Sequence, residues 1–215
     1  QALVAFDTVD LHFLRSERQA ELESSALTRA AARQKRDEEL TLIRKSDVTI
    51  VVSPYEQALL AELVPDARVL VLSTIHELLP PGKPFAERDG LVFIGGFQHP
   101  PNVDGVRWFV SDILPLVRRR LGDVCLHVVG SNLPPEIAGL GVPADRPGRH
   151  PVVVHGHVAD LAPLFASIRM SVAPLRYGAG VKGKVATSLG FGVPCVATAV
   201  AVEGSGLAPG EGVLV

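Results

Sequence analysis

The sequence lacks the features of membrane-spanning and disulfide-rich proteins. No apolar run approaches the roughly 18 residues that a bilayer-crossing helix needs, and the start of the chain has no basic segment or cleavage site of a signal peptide, which favours a cytoplasmic setting. The 215 residues include only two cysteines, Cys125 and Cys195, without CxxC spacing. We therefore expect two reduced thiols in buried strands rather than a disulfide or a metal site.

A strong charge imbalance is also missing. The formal net charge is -2, whereas a nucleic-acid-binding domain usually carries a clear excess of basic residues. No internal repeat or low-complexity tract interrupts the chain. The composition, with 47% hydrophobic and 20% charged residues, is that of an ordinary α/β protein with room for one full domain and part of another.

The first third of the chain contains clear helix and strand patterns. Residues 13–45 contain neither proline nor glycine and predict a helix, with a break near Ser24 and Ser25. A β-branched strand is predicted at 47–53, a short helix opened by Pro54 follows, and 67–73 predicts another strand. The chain opens inside an apolar strand and closes on one, so we expect it to be a piece of a longer protein.

A proline-rich connection at residues 74–90 predicts a domain boundary. We expect residues 1–73 to be the tail of one domain, 74–90 to be a linker, and 91–215 to be a second domain that lacks its carboxyl end. Strands and helices alternate in this second part, which predicts a parallel sheet.

The segment from residue 171 to 206 is the most informative part of the sequence. A strand at 171–175 is followed by Arg176, then by the turn Gly178-Ala179-Gly180, then by Lys182 and Lys184 where a helix opens. Glycine lets a backbone approach a ligand closely, and a helix start attracts anions. On spacing alone, the segment is either a diphosphate-binding loop or an ordinary turn between a strand and a helix, with solvated basic residues.

This segment resembles the donor-site motif of the group 1 glycosyltransferases. They are retaining enzymes of the GT-B fold, which has two facing Rossmann-like domains. The matching residues are Pro174-Leu175-Arg176, the glycine turn, the lysine pair and Gly192-Val193-Pro194. Further segments resemble the family in the same order, and together the resemblance spans about residues 46–215. It implies an α/β fold: a Rossmann-like parallel sheet with helices on both faces, and a remnant of a second Rossmann-like domain.

The resemblance also implies a function. Family members transfer a sugar from a nucleotide diphosphate sugar to an acceptor hydroxyl, which here implies cell-surface polysaccharide or glycoconjugate assembly. The donor would be the only bound small molecule, with no further cofactor and no metal. The implied partners are a carbohydrate or lipid-linked acceptor and the rest of the amino-terminal domain, and the full-length protein would be able to associate peripherally with a membrane.

Candidate site residues follow from the resemblance and from the residue types. The donor would be bound by glycines, cations and nearby polar groups: Gly95, Gly96, Arg176, Gly178, Gly180, Lys182, Lys184, Thr187 and Glu203. Three residues near the expected cleft are candidates for catalysis: Asp10, His12 and His99.

Departures from the family pattern keep a second interpretation open. Ala179 and Thr187 occupy positions at which many members have glutamates. The alternative to an enzyme is therefore a non-catalytic, glycosyltransferase-like module that binds a ligand or a partner domain. An unrelated dinucleotide-binding domain is disfavoured, because no GxGxxG motif opens the first strand–helix unit: Gly95-Gly96 is followed by Phe97-Gln98-His99.

Overall fold

The computed structural model describes residues 2–80, 82–146 and 149–215. The chain divides into two compact units. The first holds the residues up to 75 together with 177–182 and 199–206, and the second holds 76–176, 183–198 and 207–215. Two short segments of the range 91–215, residues 177–182 and 199–206, group with the amino-terminal part and not with the rest of the expected second domain.

The first unit has a parallel three-stranded sheet in the order β1-β2-β3. Its elements are β1 (Ala5–Asp7), α1 (His12–Glu23), α2 (Ala26–Lys45), β2 (Val48–Val51), α3 (Pro54–Leu63), β3 (Val69–Val71) and the short α9 (Ala199–Val202). The predicted helix break is confirmed: Ser24 has a left-handed φ of 53°, and the Ser25 hydroxyl accepts from the Thr28 amide as the cap of α2. Leu11, Phe13, Ile43 and Leu60 pack together in the core.

The second unit has a seven-stranded sheet in the order β10-β9-β8-β4-β5-β7-β6, and every pairing recorded for its described residues is parallel. The strands are β4 (Asp89–Ile94), β5 (Leu126–Val129), β6 (Val142–Pro143), β7 (Val152–Gly156), β8 (Ile168–Ala173), β9 (Cys195–Ala197) and β10 (Val213–Leu214). The helices are α4 (Pro100–Trp108), α5 (Leu114–Leu121), α6 (Pro135–Ala138), α7 (Ala162–Phe165) and α8 (Gly183–Gly190). The expected α/β fold with a Rossmann-like parallel sheet is confirmed.

The topology of this sheet determines where a ligand would bind. The chain runs from the central β4 outward to β5 and β7, and then returns to the other side of β4 as β8. In open parallel sheets the crevice at such a reversal, beyond the carboxyl ends of the strands, is the usual ligand site. The loops there pack so closely that a Cβ on Gly130 would lie only 1.9 Å from the Gly95 carbonyl oxygen.

Several local details differ from the sequence expectations. The strand before the glycine turn is Ile168–Ala173, so it begins three residues before the predicted 171–175. Cys125 precedes β5 and is half-buried, whereas Cys195 lies buried in β9, and both are free thiols. Helices α4 and α5 are joined by a π-helical segment, Phe109–Ile113. In the described part of the chain, no helix is long and apolar enough to cross a membrane.

Candidate functional site

A cavity of about 370 Å³ lies in the second unit at the carboxyl ends of β4 and β5. We call it the switch-point cavity. Its lining consists of strand ends, glycine turns, the loop after β7 and residues of α4 and α8: Ile94, Gly95, Gly96, Asn102, Val129, Gly130, Ser131, His157, Val158, Leu161, Lys184 and Thr187. The cavity therefore coincides with the crevice that the sheet topology favours for ligand binding.

Lys184 supplies the positive charge of this cavity and is held in a defined position. Its Nζ donates to Asn102 Oδ1 at 2.9 Å and lies 5.5 Å from the centre of the Phe93 ring. Asn102 is only 4% exposed, and its Nδ2 donates to the Gly96 carbonyl oxygen at 2.7 Å. Asn102 thus ties the lysine to the glycine turn after β4.

The start of α8 adds to this electrostatic environment. Lys184 is the second residue of the helix, so it lies in the first turn, where unpaired backbone N–H groups favour anions. Thr187 follows three residues later and also lines the cavity, because residues three apart share a helix face. A cation, helical N–H groups and a hydroxyl are therefore arranged along one wall.

Arg176 takes up a different position from Lys184. Its Nε donates to Asp104 Oδ2 at 2.9 Å and its Nη2 donates to the other oxygen of the same carboxylate. Its guanidinium carbon lies 5.7 Å from the centre of the Trp108 ring. These residues line a separate cavity of about 470 Å³ in the same unit, where Trp108 is half-buried.

In the first unit, the segment after β1 brings Asp10 and His12 together. His12 Nε2 lies 3.1 Å from Asp10 Oδ1, and Arg15 donates to Asp10 Oδ2 at 2.6 Å. Between β1 and α1, Val9 has a φ of 60°, which is unusual for a β-branched residue. Its amide donates to Asp7 Oδ1 at 3.1 Å, which helps to hold the turn. Strain of this kind is often found at functional sites.

Two buried carboxylates cap α1 next to these residues. The carboxylate of Glu39 accepts from the amides of His12 and Phe13 at 3.2 and 2.8 Å, and Glu56 accepts from that of Leu11 at 3.1 Å. The pKa of each glutamate is raised, mainly because burial disfavours the charged form. They replace the side-chain cap that Leu11 does not provide.

The glycine turn 178–180 and Lys182 belong to the first unit. A Cβ on Gly180, which has a φ of 70°, would lie 2.7 Å from Asp10 Cβ, so a larger residue is excluded. Lys182 is 7% exposed, and its Nζ donates to the Gly180 carbonyl oxygen at 2.5 Å. Burial lowers the pKa of Lys182 to about 8, although Glu203 and other nearby acids oppose the shift.

Arg18 connects this turn to Glu203. Its Nη1 donates to the Gly178 carbonyl oxygen at 2.7 Å, and its two terminal nitrogens donate to the two Glu203 oxygens at 2.7 and 2.8 Å. A two-point pair of this kind is both stronger and more directional than a single contact. Glu203 is thus held by a protein cation.

The family comparison agrees with this geometry. Residues 88–215, more than half of the chain, match the model of the glycosyl transferases group 1. The chain belongs to this family. The comparison with curated proteins finds no match.

Solved structures of three proteins illustrate the same fold. TarM matches with a TM-score of 0.68 and 14% identity over 85% of this chain and 36% of its own. Sucrose-phosphate synthase from Thermosynechococcus elongatus matches with a TM-score of 0.68 and 20% identity over 98% of this chain and 53% of its own. The pneumococcal O-GlcNAc transferase GtfA, in complex with UDP and GlcNAc, matches with a TM-score of 0.56 and 17% identity over 78% and 33% of the two chains. The chain thus spans roughly a third to a half of their lengths.

The structure of this group 1 family member places the predicted site residues in distinct groups. Four of them line the switch-point cavity: Gly95, Gly96, Lys184 and Thr187. Arg176 lines the separate cavity with Asp104, and His99 precedes α4 as its cap residue without lining the switch-point cavity. The remaining residues lie in the first unit: Asp10, His12, Gly178, Gly180, Lys182 and Glu203.

Sequence reasoning missed the residues that position these groups. Asn102 had a weak signal, since it follows the glycine turn and two prolines at the start of a helix. Arg18, Glu39 and Glu56 lie in amphipathic helices among many other charged residues. The contacts that cap α1 and that hold Glu203 span 26 to 185 positions of the sequence, so no local pattern predicts them.

Proposed function

We propose that this chain is the nucleotide-sugar-binding part of a glycosyltransferase that transfers a sugar from a nucleotide diphosphate sugar to an acceptor hydroxyl. The observation that supports this most directly is Lys184, held by Asn102 in the switch-point cavity of a group 1 family member. GtfA, which has the same fold, has been solved with UDP and GlcNAc. We propose that this chain likewise binds a nucleoside diphosphate and a sugar.

The charge of Lys184 suits the leaving group of such a reaction. When the bond to the sugar breaks, negative charge grows on the diphosphate oxygens, so a fixed cation near them lowers the barrier. The N–H groups at the start of α8 add to this effect. In many other enzymes a metal ion neutralises the charge of a bound diphosphate. We propose that this chain uses its own cations for that purpose and needs no metal or resident cofactor.

The rest of the switch-point cavity suits a nucleoside. Ile94, Val129 and Leu161 supply an apolar surface of the kind that packs against a base. The hydroxyls of Ser131 and Thr187 offer hydrogen bonds to a ribose. We propose that the diphosphate lies at Lys184 and that the nucleoside extends across the carboxyl ends of β4 and β5.

Three candidate residues of the first unit, Lys182, Asp10 and His12, have proposed roles apart from that of Lys184. Because Lys182 has a pKa of about 8, it carries its charge at neutral pH and loses it in mild alkali. We propose that it is a second phosphate-binding cation. Asp10 and His12 are proposed to orient the acceptor or to stabilise the cationic sugar carbon.

The wider biological setting is also a proposal. The acceptor would be a carbohydrate or a lipid-linked carbohydrate in cell-surface polysaccharide or glycoconjugate assembly. The full-length protein would complete the acceptor domain and would be able to associate peripherally with a membrane. A cytoplasmic location stays a prediction.

A second candidate function has specific support. Thr187 stands where many family members have a glutamate, and Glu203, the one acid among the candidate donor-binding residues, is paired with Arg18. Both observations fit a non-catalytic module that binds a ligand without transferring a sugar. Such a module would bind nucleotides, whereas the full-length protein would show no sugar transfer with any donor and acceptor pair.

Thermal shift with a panel of nucleoside diphosphates and nucleotide sugars tests the proposed donor site. At least one nucleotide should raise the Tm of the wild-type chain, and Lys184→Ala should remove most of that rise. Lys83→Ala is the matched control, because Lys83 is an exposed lysine of the same unit outside the cavity. Equal losses in both variants, or no stabilisation of the wild type by any nucleotide, would contradict the proposal.

A further inference from the structure

A second polar cavity of about 370 Å³ lies in the second unit, near the amino ends of β4 and β5 rather than at their carboxyl ends. We call it the histidine cavity. Its lining includes His127 on β5 and His155 on β7, which point to the same side of the sheet because they alternate with buried neighbours. The lining shares no residue with the switch-point cavity.

The two histidines form a close pair. His127 Nδ1 lies 2.8 Å from His155 Nε2, and the ring centres are 5.1 Å apart. Burial is the main reason that the pKa of His127 falls to about 4 and that the pKa of His155 is also lowered. Both rings are therefore neutral at pH 7, and one donates its proton to the other. Each ring keeps a second nitrogen outside this contact.

Cations surround the pair from other elements. Arg118 on α5 donates to the Val124 carbonyl oxygen and to Asp123. Arg146 and Arg149, in the segment before β7, line the same cavity. Neither has an ion pair with an acidic group in the described ranges 2–80, 82–146 and 149–215.

The acidic groups of the cavity are already engaged. Asp123 pairs with Arg118 at 3.2 Å, and Asp89 at the start of β4 accepts from the Gly90 amide at 2.7 Å. The other titratable groups in the lining are the Cys125 thiol and the His150 ring, and burial raises the pKa of the thiol, so it stays protonated at pH 7. The balance of the histidine cavity is thus cationic, with two arginines available to an incoming anion.

We propose that the histidine cavity binds a phosphate dianion, either inorganic phosphate or the phosphate of a small phosphomonoester, independently of the proposed nucleotide site. Arg146 and Arg149 contact the oxygens, because guanidinium groups match phosphate geometry in two-point contacts. The histidine pair takes up one proton as the anion enters, since nearby negative charge favours the imidazolium form. The bridging hydrogen bond between the rings survives that protonation.

NMR of the imidazole ring signals of His127 and His155 tests this proposal, because it reports on this cavity alone. Inorganic phosphate should produce saturable shifts of both signals at millimolar concentrations. The double variant Arg146→Ala with Arg149→Ala should weaken binding by ~10-fold or more. The control is Arg29→Ala with Arg33→Ala, which removes two exposed arginines from α2 and the same charge; it should leave the affinity unchanged.

Two further measurements test whether the protein takes up a proton on binding and which phosphate ligand it prefers. Sulfate keeps its charge between pH 6 and pH 8, so tighter sulfate binding at pH 6 would report proton uptake by the protein, and equal affinity would overturn the role of the histidine pair. Glucose 1-phosphate compared with phosphate shows whether a phosphomonoester is preferred. Shifts that do not saturate, or that persist equally in the double variant at an unchanged Tm, would overturn the site.

Discussion

Removal of the Asn102 side chain should weaken nucleotide binding through Lys184 rather than directly. Asn102 is 4% exposed and makes two side-chain hydrogen bonds, one to the Gly96 carbonyl oxygen and one from Lys184. A neutral hydrogen bond contributes about 1 kcal/mol and one to a charged group about 1.5–3 kcal/mol. Because water can enter the open cavity, we expect Asn102→Ala to lower the free energy of unfolding by ~1–3 kcal/mol.

The effect on binding follows from the same contacts. Lys184→Ala removes a charge-assisted contact to the diphosphate, so affinity should fall by ~10- to 150-fold. Asn102→Ala leaves the charge but releases it from its fixed position, so affinity should fall less, by about 10-fold. In the double variant the loss should equal that of Lys184→Ala alone, because Asn102 acts through the lysine.

Isothermal titration calorimetry with the nucleoside diphosphate that stabilises the chain most is the appropriate assay. Lys83→Ala is again the control and should bind as the wild type does. If the losses of the two single variants add in the double variant, Asn102 acts independently of Lys184 and the reasoning is refuted. The same conclusion holds if Asn102→Ala binds at wild-type affinity while it remains folded.

Three other changes test separate parts of the structure. Thr187→Glu should tighten nucleotide binding by ~10-fold or leave it unimpaired, because a carboxylate on the cavity wall can accept from two ribose hydroxyls; loss of binding in calorimetry would contradict this. Burial lowers the pKa of Lys182 from 10.5 to about 8, so the folded state favours the neutral amine, and the unfolding free energy of the wild type should rise relative to Lys182→Met as the pH increases from 8 to 10.5. Because the two pKa values of Lys182 differ by about 2.5, the unfolding free energy measured in urea should rise by on the order of 2–3 kcal/mol over this pH range. A fall in the unfolding free energy with increasing pH would refute the predicted direction of the pKa change. Gly180→Ala should cost ~2–4 kcal/mol in the same assay, because a left-handed φ and a close contact with Asp10 both oppose a Cβ; a cost under ~0.5 kcal/mol would contradict it.

Local patterns were sufficient to predict most helices and strands. The absence of proline and glycine from 13–45 predicted α1 and α2, and Pro54 marked the first residue of α3. The strand expected at 47–53 appears as the shorter β2, because the Val52 amide donates to Glu56 and Ser53 already caps α3. The apolar residues 194–200 look in the sequence like one continuous strand, whereas β9 ends at Ala197 and α9 begins at Ala199.

Long-range contacts could not be predicted in the same way. Glu39 caps α1 from α2 and looks in the sequence like any surface glutamate. Glu56 caps α1 from α3, and only its local contact with Ser53, three residues earlier, has a sequence signal. Arg176 follows a strand and resembles a phosphate-binding cation, whereas in the structure it pairs with Asp104, 72 residues away. Which of several cations an acid selects depends on tertiary packing, and a local pattern does not contain that information.

The most direct test of the central claim is a crystal structure of the chain with the nucleoside diphosphate that stabilises it. We predict that the terminal phosphate lies within hydrogen-bonding distance, about 3 Å, of Lys184 Nζ, and that the nucleoside lies in the switch-point cavity beside Thr187. A nucleotide bound elsewhere, with Lys184 Nζ still donating to Asn102 and not to a phosphate, would contradict the account.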